Sequence, residues 1–351
     1  MSISNRSRTM TLAIHGACVG AMLLAVALPS CTKGVSASST AAAELSVLTG
    51  NSNEFESLGK ASGWQGLPRR VRHIPTGMVL VLVEPGTAQL GSPDNEIDRD
   101  NDEAPRQVEI TKPFYIGEAE LSIAEWRAVR SELPVDCEFT DSDSLPVQGV
   151  SWHAAKAFIT DLNNMGSTGW RLPLENEWAY ACRAGTTTAF SFGDEVMADI
   201  ASFNSEWAYG STPKSPAAKS PQPTRTFGAN PWGLFDMHGN VWEWCEDYYF
   251  IDPTSPSGVK PGGPRVLRGG AWTTKGGELR SARREGYPPS STGSEYGLRL
   301  VCSIEGVAEY ICFRDISKIT CGADHPSSVT LDRSPPSAGN ATGFLASHST
   351  A

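Results

Sequence analysis

The chain has 351 residues, including 34 Gly, 24 Pro and 10 Trp, which is typical of a loop-rich fold held by aromatic side chains and not of a helix bundle. With 40% hydrophobic residues it can bury a substantial core, and its 8 Cys are too few for a fold built mainly on disulfides. The net charge of −10 argues against general nucleic-acid binding, which needs basic surfaces, so no nucleic-acid partner is expected.

Residues 1–31 have the pattern of an export signal peptide. Arg6 and Arg8 precede an apolar stretch over residues 11–28, and no acidic residue occurs before Glu44. The segment Leu28-Pro29-Ser30-Cys31 resembles a bacterial lipobox, in which the Cys becomes lipidated. We therefore predict an exported protein of the bacterial cell envelope or periplasm, lipid-anchored to the membrane at Cys31.

Two alternatives to the lipid anchor stay open. Val35-Ser36-Ala37 offers a second cleavage site with small residues, which would release a soluble secreted protein. The apolar stretch could also remain uncleaved as an N-terminal anchor, although its length is marginal for a membrane span.

The remaining chain divides into three predicted regions. Residues 32–76 are predicted to be a flexible linker and N-terminal extension, because 32–53 are rich in Ser, Thr, Ala and Asn. The folded domain is predicted over residues 77–302, beginning with a buried apolar strand at 78–83. Residues 303–351 are predicted to be a C-terminal extension that is mostly disordered, since Ser, Pro, Gly and Asn dominate its end.

Further strands are predicted at residues 108–111, 114–116 and 297–302. The acidic residues between 94 and 103 are expected to form a solvated surface loop. Residues 185–264 are expected to be mostly loop, because Gly, Pro and Ser are frequent there.

Three helices are predicted. Ser122 can cap a helix that ends near Arg130, and Ser151 can cap a helix over residues 152–162. A third helix is predicted over 174–183, where first-turn acids Glu175 and Glu177 are expected to form salt bridges with nearby arginines.

Four segments and a closing tripeptide carry the strongest pattern in the sequence. They are Pro146-Val147-Gln148-Gly149-Val150-Ser151-Trp152, Arg171-Leu172-Pro173-Leu174-Glu175-Asn176-Glu177-Trp178-Ala179-Tyr180-Ala181-Cys182-Arg183, Asn230-Pro231-Trp232-Gly233-Leu234-Phe235-Asp236-Met237-His238-Gly239-Asn240-Val241-Trp242-Glu243-Trp244, Arg265-Val266-Leu267-Arg268-Gly269-Gly270-Ala271-Trp272 and Gly297-Leu298-Arg299. In this order they resemble the formylglycine-generating enzyme (sulfatase-modifying factor) family over roughly residues 77–302. The resemblance implies a single α+β domain that is loop-rich, has low regular secondary structure and is distantly similar to C-type lectins.

The third segment suggests a calcium site. Asp236 and Glu243, seven residues apart around Gly239, could supply two carboxylates to one ion, and Ca²⁺ takes six to eight oxygen ligands. The family resemblance adds the backbone carbonyls of Gly239 and Val241 as ligands. The alternative is that Arg268, Arg283 or backbone amides hold both acids.

The resemblance places a second calcium site near Asn204 and Ser205. Its remaining ligands would come from the loop over residues 213–220, but that loop contains no acidic residue. This second site is therefore predicted on weaker grounds than the first.

Copper is not expected in this chain. In the aerobic enzymes of the family, two Cys after the Arg-Gly-Gly motif bind Cu(I), activate O₂ and oxidise a sulfatase Cys to formylglycine. Here Thr274 and Leu279 stand about where those Cys belong, and no Cys occurs between Cys245 and Cys302. Hydroxyl and alkyl groups cannot replace the soft thiolates that Cu(I) needs, so no catalytic residue is assigned.

An oxidising compartment would allow the six Cys after the leader to pair, and 15 connectivities are then possible. Cys182 falls where vertebrate-like members of the family carry a disulfide partner. The matching downstream segment, residues 280–283, contains no Cys, so that bridge is not expected here.

Two functional hypotheses follow. The first is a cell-envelope member of the family without copper oxidase activity, which binds a protein or a glycan as an adaptor module; an envelope protein such as a sulfatase is a candidate partner. The second is a formylglycine-generating oxidase that converts a sulfatase Cys to formylglycine.

Overall fold

The computed structural model describes residues 54–59, 63–166, 169–254 and 262–304. The predicted leader, Cys31, and most of the predicted linker and C-terminal extension lie outside these residues. Within the described ranges, no helix combines the length and the apolar character needed to cross a bilayer.

The main sheet contains six antiparallel strands. In spatial order they are β1 (Phe55–Ser57), β2 (Arg70–His73), β3 (Val79–Val83), β6 (Phe114–Gly117), β12 (Val301–Ser303) and β7 (Trp170–Arg171). The first strand of the described chain thus lies at one edge, and the last lies between β6 and β7.

A second sheet has four strands, in the order β10 (Glu285–Tyr287), β9 (Arg265–Arg268), β8 (Trp242–Tyr248) and β11 (Tyr296–Gly297). The β8–β11 pair is parallel, whereas the other two pairs are antiparallel. A separate hairpin joins β4 (Gly86–Leu90) and β5 (Arg106–Ile110).

Strand β3 is buried on both faces of the main sheet, which confirms the strand predicted at 78–83. Leu80 and Leu82 enter one apolar cluster, whereas Val81 and Val83 enter another. Successive strand residues point to opposite faces, so a continuous apolar run is what a doubly covered strand requires.

In the part of the chain that the structure describes, the three α-helices are α1 (Ile123–Arg127), α2 (Trp152–Asn163) and α3 (Glu175–Arg183). The side chains of Ser122 and Ser151 accept hydrogen bonds from backbone amides in the first turns of α1 and α2, which confirms both predicted caps. Helix α1 ends earlier than expected, and Ala184 ends α3 in a left-handed conformation, with φ of 46°.

The structure corrects two predicted boundaries. The folded domain begins before residue 77, because β1 and β2 pair in register with the rest of the main sheet. The strand predicted at 297–302 is two strands, β11 and β12, which belong to different sheets. Strand β2 was missed because exposed arginines at Arg70 and Arg72 alternate with buried Val71 and His73, leaving no apolar run.

The acidic segment 94–103 differs from the predicted solvated loop. Glu103 and Asp102 are buried, and the guanidinium of Arg280 binds both Glu103 and Glu96. Arg284 lies 3.6 Å from Asp102. The carboxylates of Asp100, Asp102 and Glu103 cluster within 4.8 Å, but each faces an arginine, Arg283 in the case of Asp100. This cluster is therefore a structural ion network.

Candidate functional site

Four of the five motif segments converge around one buried carboxylate. The indole Nε1 of Trp178, from α3, donates to Glu243 Oε2 on β8 at 2.6 Å. Arg299, from the closing Gly-Leu-Arg tripeptide, donates to both oxygens of Glu243. The guanidinium of Arg268, on β9, lies 5.2 Å from the centre of the Trp178 ring. Segments that are far apart in the sequence therefore meet at one ion pair.

Three buried carboxylates surround Arg299. They belong to Glu120, Asp236 and Glu243. Burial raises the pKa of Glu120 well above its usual range, and the charges of Asp236 and Glu243 add to that effect. Burial likewise raises the pKa of Asp236 to about 6. The site holds more negative charge than one guanidinium balances, so a bound proton or cation would stabilise it.

Glu120 was not singled out from the sequence. Its Oε1 accepts from the Val241 amide at 2.9 Å, and its Oε2 accepts from Asn240 Nδ2 at 2.6 Å. It thereby holds the loop that contains the predicted calcium ligands. The available signal was a pair of acidic residues, Glu118 and Glu120, between the apolar strand at 114–116 and Leu121.

Asp236 fits part of what the calcium prediction requires. Its φ is 55°, and its Oδ2 accepts from the Arg225 amide at 2.7 Å. Its Oδ1 is buried and has no hydrogen-bond partner among the described residues. A buried carboxylate oxygen without a partner is unfavourable unless another group, such as a cation, neutralises it.

The segment that precedes Asn204 and Ser205 contacts the loop of the first predicted calcium site. The Asn240 amide donates to the Ser202 carbonyl at 2.9 Å, and a Cβ at Gly239 would collide with that carbonyl oxygen. Asn204 Oδ1 is also buried without a hydrogen-bond partner among the described residues. Ser205 Oγ instead donates to the carbonyl of Pro216 at 2.8 Å.

Glu243 fits an ion less well than Asp236 does. Both of its oxygens accept from Arg299, and Oε2 also accepts from Trp178. This geometry agrees with the alternative of an arginine partner, although the arginine is Arg299 and not Arg268. Val241, whose carbonyl is the other predicted ligand, adjoins β8. Calcium stays a prediction, which Asp236 and Asn204 support more directly than Glu243.

In the aerobic enzymes, two Cys in the segment after the Arg-Gly-Gly motif bind copper. In this chain, the side chains at the corresponding positions, Thr274 and Leu279, are held in a local turn and in an apolar cluster. Thr274 Oγ1 donates to the Ala271 carbonyl at 2.9 Å and accepts from the Ala271 amide at 3.0 Å, which makes a tight turn. Leu279 is completely buried in a small apolar cluster with Phe190, Val196 and other residues. These two side chains pack the protein and offer no soft ligand.

A thiol and an imidazole meet beside this segment. Cys182 Sγ lies 3.7 Å from His238 Nε2, while His238 Nδ1 contacts the Leu279 carbonyl at 2.7 Å. Since a carbonyl oxygen can only accept, Nδ1 carries the proton and Nε2 accepts from the Ser191 amide at 3.0 Å. Burial lowers the pKa of His238 to about 4 and raises the pKa of Cys182 to about 11, so both groups are neutral near pH 7.

Every cysteine in the described part of the chain is a free thiol, namely Cys137, Cys182, Cys245 and Cys302. The side chain of Ser281 lies beside the Cys182 thiol. This agrees with the expectation that residues 280–283 stand where a disulfide partner would be and that no bridge forms there.

The architecture is a loop-rich α+β domain with low regular secondary structure, of the formylglycine-generating-enzyme type and similar to C-type lectins. The chain belongs to the family described as sulfatase-modifying factor enzyme 1-like domain, which matches residues 67–304. This match, too, begins before residue 77.

Two curated relatives and one solved structure illustrate the relationship. The chain is 36% identical over 163 residues to the serine/threonine-protein kinase pkn1 of Chlamydia caviae, a match that covers 44% of this chain and 23% of that protein. It is 33% identical over 193 residues to the formylglycine-generating enzyme of Streptomyces coelicolor, covering 50% and 57% respectively. The chain thus matches well under two thirds of the length of each relative.

The structure of PvdO from Pseudomonas aeruginosa has a TM-score of 0.59 and 23% sequence identity to this protein. The match covers 71% of this chain and all of that one. At this level of identity the similarity establishes the fold alone.

Proposed function

We propose that this chain is a family member without copper-dependent oxidase activity, and that it acts in the cell envelope by binding a protein or a glycan. The observation that supports this most is the environment of Thr274 and Leu279, at the positions expected for the copper-binding Cys. One hydroxyl is used in a local turn and one alkyl side chain fills an apolar cluster. Cu(I) favours soft thiolate ligands, which neither side chain supplies.

Two observations favour the oxidase alternative. Several curated relatives are formylglycine-generating enzymes, and Cys182 and His238 lie together beside the Leu279 carbonyl. A buried thiol with a raised pKa is a poor nucleophile and a poor metal ligand, because the reactive form is the thiolate. The binding function therefore remains our proposal.

The oxidase question has a direct test. The full chain is incubated with Cu(I), O₂ and a peptide containing Cys-X-Pro-X-Arg, and the product is examined by mass spectrometry for the aldehyde. The formylglycine-generating enzyme of Streptomyces coelicolor serves as the positive control. We expect no aldehyde above the level without enzyme; aldehyde formation that depends on the chain and on copper would overturn the proposal.

We also propose that Ca²⁺ binds at Asp236 and, on weaker grounds, at a second site at Asn204, because each side chain has a buried oxygen without a hydrogen-bond partner among the described residues. When bound, the ion would supply positive charge to the cluster of Glu120, Asp236 and Glu243. The residues themselves hold loop 236–243 against the segment that contains Ser202. The ion would therefore have a structural role.

The envelope location is part of the proposal and rests on the leader sequence. Lipidation at Cys31 predicts that cells fed an alkyne-labelled fatty acid produce a labelled, membrane-associated protein. Cys31→Ser should lose the label and the association. A labelled Cys31→Ser protein, or an unlabelled wild-type protein in the soluble fraction, would contradict the anchor.

A further inference from the structure

A groove of about 550 Å³ lies between α3, the end of β3 and the loop that contains Trp232, and its lining includes none of Glu120, Asp236 and Glu243. Its walls are formed by the rings of Tyr180 and Trp232, whose centres are 4.8 Å apart at 67°, and by Pro85 and Pro231. Ligand sites commonly occupy about 300–1,000 Å³ and combine apolar walls with a few polar groups. The size and lining of this groove match that description.

The groove is held in shape without a ligand. Asn230 Nδ2 donates to the carbonyls of Ala181 and Cys182 at the end of α3, and Asn230 Oδ1 accepts from the amides of Trp232 and Leu234. This side chain fixes the Trp232 loop to the helix that carries Tyr180. A preformed site loses little conformational entropy on binding.

Charge at the groove is opposite to that of the whole chain. Arg69, Arg70 and Glu84 line it, giving one net positive charge in a protein of net charge −10. Arg69 and Glu84 form only a loose pair at 3.5 Å, with side chains 63% and 41% exposed. Such a pair contributes little stability, so the Arg69 guanidinium is available to an incoming anion.

Arg70 has a different environment. It pairs with Glu118, which is buried and also accepts from Arg225 Nε at 3.1 Å. This network anchors the Arg70 side chain, which stays 48% exposed at the groove. One arginine is thus held in place and the other is free to move, an arrangement suited to an anionic group next to an apolar surface.

We propose that this groove binds an acidic saccharide, one that carries carboxylate or sulfate groups. The aromatic and proline faces pack against the C–H face of a pyranose ring, and Arg69 donates a forked pair of hydrogen bonds to its anionic group. The proposal rests on the binding function proposed above and names the class of ligand. A peptide made only of acidic residues would satisfy the arginine but has no ring to stack on Trp232.

The test measures binding to the full chain by isothermal titration calorimetry with a heparin-derived tetrasaccharide. Maltotetraose serves as the neutral saccharide and hexaglutamate as the acidic peptide. We expect the heparin fragment to bind with an affinity that falls as salt rises, and both comparison probes to bind at least about tenfold more weakly. Equal binding of maltotetraose or hexaglutamate would overturn the proposal.

Two variants locate the site. Arg69→Glu reverses an exposed charge and should weaken binding by at least about tenfold, and Trp232→Ala should do the same by removing the stacking face. Arg72→Glu is the matched control, because Arg72 lies three residues along the chain, on β2, has a side chain that is also exposed and pairs with Glu56 outside the groove. Loss of binding in Arg72→Glu equal to that in Arg69→Glu would place the interaction elsewhere. Arg69→Glu suffices if Trp232→Ala does not fold.

Different results would overturn the saccharide site and the proposed function. Absence of heparin-fragment binding, together with absence of aldehyde formation, would overturn the groove as a saccharide site while leaving a protein-binding role. Aldehyde formation would overturn the proposed function whatever the binding result.

Discussion

The guanidinium of Arg299 and the carboxylate of Glu243 form a bidentate ion pair, and both side chains are buried. Arg299 Nη2 lies 2.7 Å from Oε1, and Arg299 Nε lies 3.0 Å from Oε2. Trp178 completes the hydrogen bonding of the same carboxylate. Three of the motif segments, which are separated along the chain, therefore meet in one interaction.

Removing one member of this pair should destabilise the domain strongly. Arg299→Ala leaves Glu243 charged, buried and without its main partner, which should lower the free energy of unfolding by about 3–5 kcal/mol. Urea denaturation measures the change. Arg72→Ala, which removes an exposed pair with Glu56, should cost at most about 1 kcal/mol. A similar loss in both variants would mean that enclosure of the pair is unimportant.

The side chain of Asn230 makes four hydrogen bonds, so we expect a conservative substitution there to lower the free energy of unfolding strongly. Asn230→Asp keeps the size of the side chain but turns a carboxylate oxygen towards the carbonyls of Ala181 and Cys182, which cannot donate. We expect a loss of about 3 kcal/mol, measured by urea denaturation, as for a buried polar group left unpaired. The exposed Asn95→Asp adds the same charge and should be nearly neutral. An unaltered Asn230→Asp protein would contradict the hydrogen-bonding role.

Because the imidazole of His73 is buried, we expect the folded protein to lose stability in acid. Burial lowers its pKa to about 4, and the charge of Glu54 opposes this in part. His73 binds a proton more tightly in the unfolded chain than in the folded protein. Its contribution to the free energy of unfolding is therefore complete above about pH 6.5 and is lost as the pH falls towards 4. A shift of this size corresponds to about 3 kcal/mol.

The variant His73→Phe should remove that part of the pH dependence, because its ring stays uncharged beside Phe55 and Trp170. Unfolding free energies measured between pH 4 and 7 provide the comparison, with the exposed His153→Phe as the control. If the unfolding free energy depends on pH in the same way in wild type and His73→Phe, the role of His73 is disproved.

Calcium binding near Asp236 predicts a ligand-dependent melting temperature. An ion present at about 100 times its Kd adds about 2.7 kcal/mol to stability, which corresponds to about 5–10 °C for a domain of this size. EDTA should lower the melting temperature and Ca²⁺ should restore it. Asp236→Ala should abolish the response. If Asp236→Ala/Glu243→Ala keeps the full response, the ion binds elsewhere.

The local elements were predictable where the signal was confined to neighbouring residues. Ser122 and Ser151 cap their helices as expected, since the capping hydrogen bond spans only three residues. Glu177 pairs with Arg171 as expected for a first-turn acid. Glu175 instead binds Arg284, more than a hundred residues away, which no local pattern indicates.

Strand β8 is an element that the sequence did not predict, within a region that is mostly loop as expected. Its residues alternate Trp, Glu, Trp and Cys and are all buried at the start of the strand, so the segment lacks the polar face of an ordinary strand. Glu243 is tolerated there only because Arg299 and Trp178 reach it from other parts of the chain. A prediction made from neighbouring residues cannot include Arg299 and Trp178, because they lie far from Glu243 in the sequence.

The sequence by itself determined the family, the loop-rich α+β fold and the absence of Cys at the positions expected for copper, because these follow from residue types in a fixed order. Only the tertiary structure decided which charges meet: Arg299 with Glu243, Arg280 with Glu103, and Glu120 with the loop at Val241. A buried charge is stable only beside its partner, and the partners here come together through folding between distant segments.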